Sequence, residues 1–372
     1  MKVLHVATRH IPGGAHRNTT HWMEWQVDQG FEVHLAVGAE HVLTGLPSSI
    51  NPHVIPDLVR NVSPTREPKA FFALRRLIAE HRFDIIHTHQ SKAGVLGRVA
   101  ARKTVPFVVH SIHGSTFGAG YGRSETRAYI AIERMCANMT TAFVVVGDDL
   151  RRQFVDSGVA SDDRFWTIHS PIDINAFAAI RKLSVGERRS IRRTRFGFDA
   201  DRPLVVSIGR LEPGKRHRLL IERLGPLVKQ GRIDVAIAGS GVEEGTLRRT
   251  IDELDLGDHV RLLGHVDAES VLAIADVLVH TSAAEGLAQV LVQAAAAGVP
   301  AVATKVEGAS EVPGVRVVDQ GANELASAVA AVLNDASRNH VALEAVMSWH
   351  PDEVARQIAV FHEDLLARSI KN

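Results

Sequence analysis

Leu204-Val-Val-Ser-Ile208-Gly-Arg210-Leu-Glu-Pro-Gly-Lys215 and Thr281-Ser-Ala-Ala-Glu285-Gly-Leu-Ala-Gln-Val-Leu-Val-Gln293-Ala-Ala-Ala-Ala-Gly298-Val-Pro300 decide how this chain reads. In the first, an apolar run of strand length ends and delivers an Arg and a Lys five positions apart, on a solvent-facing loop. Two cations just past the end of a buried strand are placed to hold a diphosphate. In the second, the stretch from Glu285 to Gln293 reads as the opening turns of a helix that stops at Gly298 and Pro300. A helix N-terminus presents free N–H groups and favours anions.

Working outward, short Val/Ile-rich runs alternate with longer helical patterns, the signature of parallel α/β layers. The strands expected in the first half are Val3–Ala7, Val33–Val37, Ile85–His87, Phe107–Ser111, Phe143–Val146 and Trp166–Ile168. Those in the second half are Leu204–Ile208, Val235–Ala238, Val260–Leu263, Val277–His280, Ala301–Ala303 and Val315–Val318. This is two successive Rossmann-like sheets. The 372 residues suit two domains of roughly 150–200 residues. Between them, Arg181 to Arg195 reads as an arginine-rich helix leading into the second domain. Trp349 to Ala367 reads as a final amphipathic helix.

A formal charge of +1 argues against a nucleic-acid partner, and the single cysteine excludes an internal disulfide and suits a reducing cytoplasm. No run approaches the roughly 18 apolar residues of a spanning helix, so membrane contact is expected to be peripheral at most.

Open parallel sheets bind ligands beyond the carboxyl ends of their strands. After the first strand, Gly13-Gly14 lets backbone approach a ligand and opens a helix. After the fourth comes His110-Ser-Ile-His113-Gly114. His87, His89 and His110 crowd nearby, but without the fixed spacing of a metal site. Gly239-Ser-Gly241 and Gly264-His265-Val266 each follow a strand in the second half. The third glycine, Gly245, falls one place too late for a dinucleotide fingerprint. Asp199-Ala-Asp201 is a D-x-D in spelling, but its place ahead of a strand makes it a turn.

Arg210/Lys215, Glu285, His113-Gly114 and Gly13-Gly14 together resemble the retaining, family 4 glycosyltransferases of the GT-B fold, over nearly the whole chain. Ile86-His-Thr-His-Gln-Ser-Lys92-Ala-Gly-Val-Leu-Gly97 also looks like members that build surface glycans. The cation pair is the R-x4-K of that family, and Glu285 opens its E-x7-E. The chain departs from the pattern at His16, where the family has Glu, at Gln293 in place of the second acid, and at Ala288 and Glu307 in place of glycines.

The resemblance implies two Rossmann-like domains facing a cleft: an acceptor-side domain over 1–172, a nucleotide-sugar domain over 173–348, and a last helix, 349–372, returning to the first. It implies transfer of a sugar from a nucleotide donor with retention, in the cytoplasm, with no metal and no cofactor beyond the donor. Arg210 and Lys215 would stabilise the leaving diphosphate, while Glu285 and His113 position the sugar. Gly239, Gly241, Gly264, His265 and Val266 would lie along the nucleotide, Gly286 and Leu287 beside the sugar, and Gln293 at the ribose. The acceptor would be a glycan, a lipid-linked sugar or a small metabolite. Two alternatives on the same scaffold are a nucleotide-sugar 2-epimerase and a non-catalytic nucleotide-sugar binder.

Overall fold

The structure is a computed structural model and describes residues 1–118, 120–199, 201–335 and 341–367. The chain divides into two compact units: Met1–Pro171 with Pro351–Asn372, and Ile172–His350. Each is a parallel α/β sandwich built on its own sheet.

In unit 1 the strands are β1 (Lys2–Ala7), β2 (Glu32–Val37), β3 (Ile50–Val54), β4 (Ile85–His89), β5 (Phe107–Ile112), β6 (Ala142–Val145) and β7 (Phe165–Thr167), in the order β3-β2-β1-β4-β5-β6-β7. In unit 2 they are β8 (Leu204–Ile208), β9 (Asp234–Ala238), β10 (Val260–Gly264), β11 (Val277–His280), β12 (Ala301–Thr304) and β13 (Val315–Val318), in the order β10-β9-β8-β11-β12-β13. Both faces of the central strands are covered, which is why β4 and β9 are buried at every position. The order reverses between β1 and β4 in one sheet and between β8 and β11 in the other. Loops diverge at such a point, and a crevice opens past the carboxyl ends of the strands.

One strand, β3, escaped the sequence reading. It is an edge strand with the burial of a surface segment, and it contains Pro52. Edge strands tolerate proline because one side of their backbone makes no ladder bonds. The final helix, Pro351–Ala367, places Val354, Ile358, Phe361 and Leu365 against Val3, Trp22, Ile85 and Phe107 in the unit 1 core.

The arginine-rich segment resolves into a short turn and the helix Val185–Phe196, opened by a Ser184/Glu187 capping box. Two of its cations are structural. Buried Arg192 donates to Ile274 O at 2.7 Å and Asp276 Oδ2 at 2.8 Å. Arg181 caps the helix Gln289–Ala297 through Ala295 O at 2.6 Å and Ala296 O at 2.7 Å, where the helix dipole favours a cation. No described helix is long and apolar enough to cross a membrane. Cys136 is buried.

Candidate active site

In unit 2 the reversal point brings the two diagnostic segments together. β8 and β11 pair as neighbours, so the loops that follow them leave the sheet side by side. Arg216 locks these loops. Its guanidinium donates to Thr281 O at 2.7 Å, Ser282 O at 2.8 Å and Gln320 O at 2.9 Å. Thr281 Oγ1 returns a bond to Lys215 O at 3.0 Å, and Ala283 N one to Gly214 O at 2.9 Å. Sequence reading passed over Arg216, because an Arg beside the R-x4-K pair carries no motif of its own.

The result is a half-buried ion pair. Lys215 Nζ bonds Glu285 Oε1, which also takes a hydrogen bond from His280 Nε2 at 3.1 Å. Burial alone would push the Glu285 carboxyl up. The His280 hydrogen bond and the Lys215 ammonium outweigh it and hold the group well below the usual carboxylate range. The expected solvent-facing cation loop is therefore corrected for one of its members: the Lys215 side chain is 25% exposed and already paired. Arg210 is 53% exposed and pairs with Glu212 Oε1 at 3.0 Å.

The helix after β11 is also corrected, since it runs from Gln289 to Ala297 and leaves Glu285 in the loop before it. Leu287 and Ala288 are buried there. Gln293 is a buried residue one turn into the helix. The helix start has no side-chain cap, nor does that of Gly14–Asp28 after β1, where Gly13 is the N-cap residue.

The glycines of the 239–241 loop have a local cause. A Cβ on Gly239 would fall 1.9 Å from Gly209 O, and one on Gly241 2.4 Å from Leu211 O. The loop lies directly on the chain that carries Arg210, bonded through Leu211 N to Ser240 O at 2.9 Å. Gly264 ends β10 and accepts from Gly239 N at 2.7 Å; His265 beyond it is exposed and Val266 half-buried.

Unit 1 is built of different material. His113 follows β5, and both its ring nitrogens are engaged: Nδ1 with Asn18 Nδ2 at 3.4 Å and Nε2 with His89 Nδ1 at 3.0 Å. The contacts continue inward. His89 Nε2 meets His5 Nδ1 at 2.9 Å, His5 Nε2 meets Gln26 Oε1 at 2.7 Å, and Gln26 Nε2 meets His362 Nε2 at 3.2 Å. With Gln26 oriented this way its carbonyl can only accept, which assigns the tautomers along the line. His5 carries its proton on Nε2, so His89 and His113 carry theirs on Nε2 as well. Burial lowers His113 and His5 to about 4 and His89 well below its usual value, so all are neutral at pH 7. A neutral imidazole with both nitrogens bonded is a fixed group rather than a free base. Of this line only His113 was singled out in the sequence. His87 and His89 are two apart and therefore share a face of β4, which is the one signal available there.

Two family models tile the chain: Glycosyl transferase 4-like domain over residues 13–165 and Glycosyl transferases group 1 over 189–346. Among curated proteins, a UDP-Gal:alpha-D-GlcNAc-diphosphoundecaprenol alpha-1,3-galactosyltransferase of Escherichia coli is 28% identical over 77% of this chain and 75% of its own length. A putative glycosyltransferase, EpsD, of Bacillus subtilis is 26% identical over 72% and 69%. Among solved structures, Anabaena HepE in complex with UDP and glucose superposes with a TM-score of 0.79 at 20% identity, covering 98% of this chain and 99% of that one. The sucrose-phosphate synthase of Thermosynechococcus elongatus reaches 0.82 at 18% identity, covering 99% of each. With both sheets, both family models and these relatives in agreement, the chain belongs to the family 4 type of glycosyltransferases with the GT-B fold.

Proposed function

We propose that this glycosyltransferase moves a sugar from a nucleoside diphosphate donor to an acceptor with retention of configuration, using no metal ion and no cofactor besides the donor. The observation that carries the reading is the Lys215–Glu285 pair at the β8/β11 reversal point, held by Arg216. Charge grows on the diphosphate as the glycosidic bond breaks. A cation already fixed in place stabilises it without reorganising.

In this reading Lys215 and Arg210 take the departing diphosphate. Glu285 accepts hydrogen bonds from hydroxyls of the donated sugar, beside Gly286 and Leu287. His113, unable to act as a free base while both nitrogens are bonded, positions the reacting sugar. Gly239, Gly241, Gly264, His265 and Val266 follow the nucleotide, and Gln293 bonds the ribose. A uridine nucleotide is the first donor to test, since the E. coli relative is named for UDP-Gal and HepE was solved with UDP. The lipid-linked acceptor in that relative's name makes a diphosphate-lipid sugar the first acceptor class.

The test is incubation of the purified chain with UDP-sugars, with and without a lipid-diphosphate sugar acceptor and with EDTA present. Acceptor-dependent release of UDP and an α-linked product from an α-donor are expected. Release of UDP with an epimerised sugar and no transfer, an inverted product, or a strict requirement for a divalent ion would each overturn part of the reading.

A further inference from the structure

We propose that His34, His53 and His81 form a binding site for a late first-row divalent transition metal, Zn²⁺ in the first instance, at the β2/β3 edge of the unit 1 sheet. The three imidazoles come from three elements: β2, the edge strand β3, and the last residue of the helix Arg66–His81. Their candidate ligand atoms all lie within 4.8 Å of one another. A tetrahedral ion with Zn–N bonds of about 2.0–2.1 Å needs nitrogens about 3.4 Å apart. Side-chain adjustments of roughly 1 Å supply the difference.

The chemistry of each ring fits. His34 is buried, and its Nε2–H donates to Glu32 Oε1 at 3.0 Å. That bond fixes the tautomer and leaves Nδ1 as a lone pair, the carboxylate–histidine arrangement that orients metal ligands. Nδ1 lies 2.8 Å from His53 Nε2, so in the metal-free rings the shared proton sits on His53. Metal binding moves that proton to His53 Nδ1, exchanging one N–H···N hydrogen bond for two metal–nitrogen bonds with no net proton released. His81 stands at a helix C-terminus, where carbonyl dipoles favour a cation, and the left-handed turn at Arg82 (φ 55°) ends the helix there. His53 and His81 are half-buried, which gives an ion access from solvent and leaves a fourth position for water. Phe83 packs its ring 5.0 Å from His34 and 5.6 Å from His81 and closes the inner side.

A second trio, His5, His87 and His89, also has ligand atoms within 4.8 Å, but it is fully buried. Both nitrogens of His5 and of His89 and one of His87 already hold hydrogen bonds. A ligand atom taken from His5 or from His89 would have to give up one of these bonds.

The test uses the full chain, produced without a polyhistidine tag and stripped with EDTA. It is titrated with Zn²⁺ by calorimetry and with Co²⁺ by visible absorption. Binding of about one equivalent, with the absorption of tetrahedral Co²⁺, is expected. His53→Ala and His81→Ala should each abolish it with the far-UV dichroism unchanged, and Glu32→Gln should weaken it about tenfold. No binding by the parent chain, full binding by both alanine variants, or loss of the metal in His87→Asn would overturn the proposal. The last result would move the ion to the buried trio.

Discussion

The two halves of this enzyme solve the same problem with opposite chemistry. Past β8 and β11, unit 2 assembles charge: an ammonium paired with a carboxylate, on loops that the Arg216 guanidinium ties together through their carbonyls. Past β4 and β5, unit 1 assembles neutrality: a line of imidazoles whose charged forms are all suppressed by burial. Fixed charges suit a leaving group that becomes more negative. Uncharged rings in fixed tautomers set direction and shape without competing for that charge. The difference predicts that damage to unit 2 shows chiefly in turnover, and damage to unit 1 chiefly in stability and its pH dependence.

The largest effect is expected at the cations. Lys215→Ala and Arg210→Ala should each lower turnover by ~10²–10³, with a smaller change in donor affinity, because the contacts are strongest when charge has developed. Their melting behaviour should differ. Arg210 is exposed and can be removed quietly, whereas Lys215→Ala leaves the half-buried Glu285 with only His280, so its melting temperature should fall. Near-parental turnover in either variant on the true donor would remove that residue from the diphosphate reading. Equal melting temperatures would show that the Lys215–Glu285 pair is not held in solution.

Next comes acid stability. Among the described residues, His5, His10, His113 and His362 in unit 1 are each lowered to about 4, chiefly by burial, against one such residue, His217, in unit 2. In the unfolded chain these groups titrate near 6.5, so between that value and about 4 the unfolded state binds more protons. Their contribution is complete above pH 6.5 and is lost as pH falls toward 4, each ring weighing on the order of 3 kcal/mol. Glu285 acts in the same direction lower down. Its folded pKa is depressed, so its contribution is present above the ordinary carboxylate range and disappears only in stronger acid. Hydrogen exchange at pH 5 should therefore open unit 1 before unit 2. The reverse order would break the comparison.

A smaller effect tests the direction of the histidine line. Gln26→Leu leaves His5 Nε2–H without its acceptor in the core, a cost of about 1–3 kcal/mol. Gln26→Glu can accept from both His5 and a tautomer-shifted His362, and should recover much of it. Nitrogen NMR shifts should place the His113 proton on Nε2 in the parent chain and show that assignment lost in Gln26→Leu. A His113 signal unchanged in that variant would show that the line does not act as one unit.

How far the sequence carries depends on whether a feature is local. Twelve of the thirteen described strands are apolar runs and were readable as such; β3 has exposed Asn51 and Pro52 and a half-buried His53 and reads as a loop. Lys215 and Glu285 were visible because each lies in the loop that follows a strand, but their contact depends on β8 and β11 being neighbours, which no spacing of 70 residues records. His5, Gln26 and His362 were invisible for the same reason. The 336 residues between Gln26 and His362 are closed by the last helix docking into the unit 1 core.

The smallest effect is expected at Gln293, and it bears on whether unit 2 tolerates one more charge. Gln293 is 7% exposed, on the inner side of a helix whose neighbours Leu291, Val292 and Ala294 are fully buried. Gln293→Glu restores the family pattern, and a carboxylate makes a stronger bond to a ribose hydroxyl than an amide does, by about 1 kcal/mol. Against that stands the cost of burying its charge without a cation beside it, since Lys215 is committed to Glu285. The two terms are of similar size, so donor affinity should change by less than about tenfold in either direction, 1.4 kcal/mol being the tenfold mark. Calorimetry with UDP on the variant and its parent measures this directly. Complete loss of nucleotide binding at an unchanged melting temperature would mean that Gln293 serves the site in some other way than by bonding the ribose.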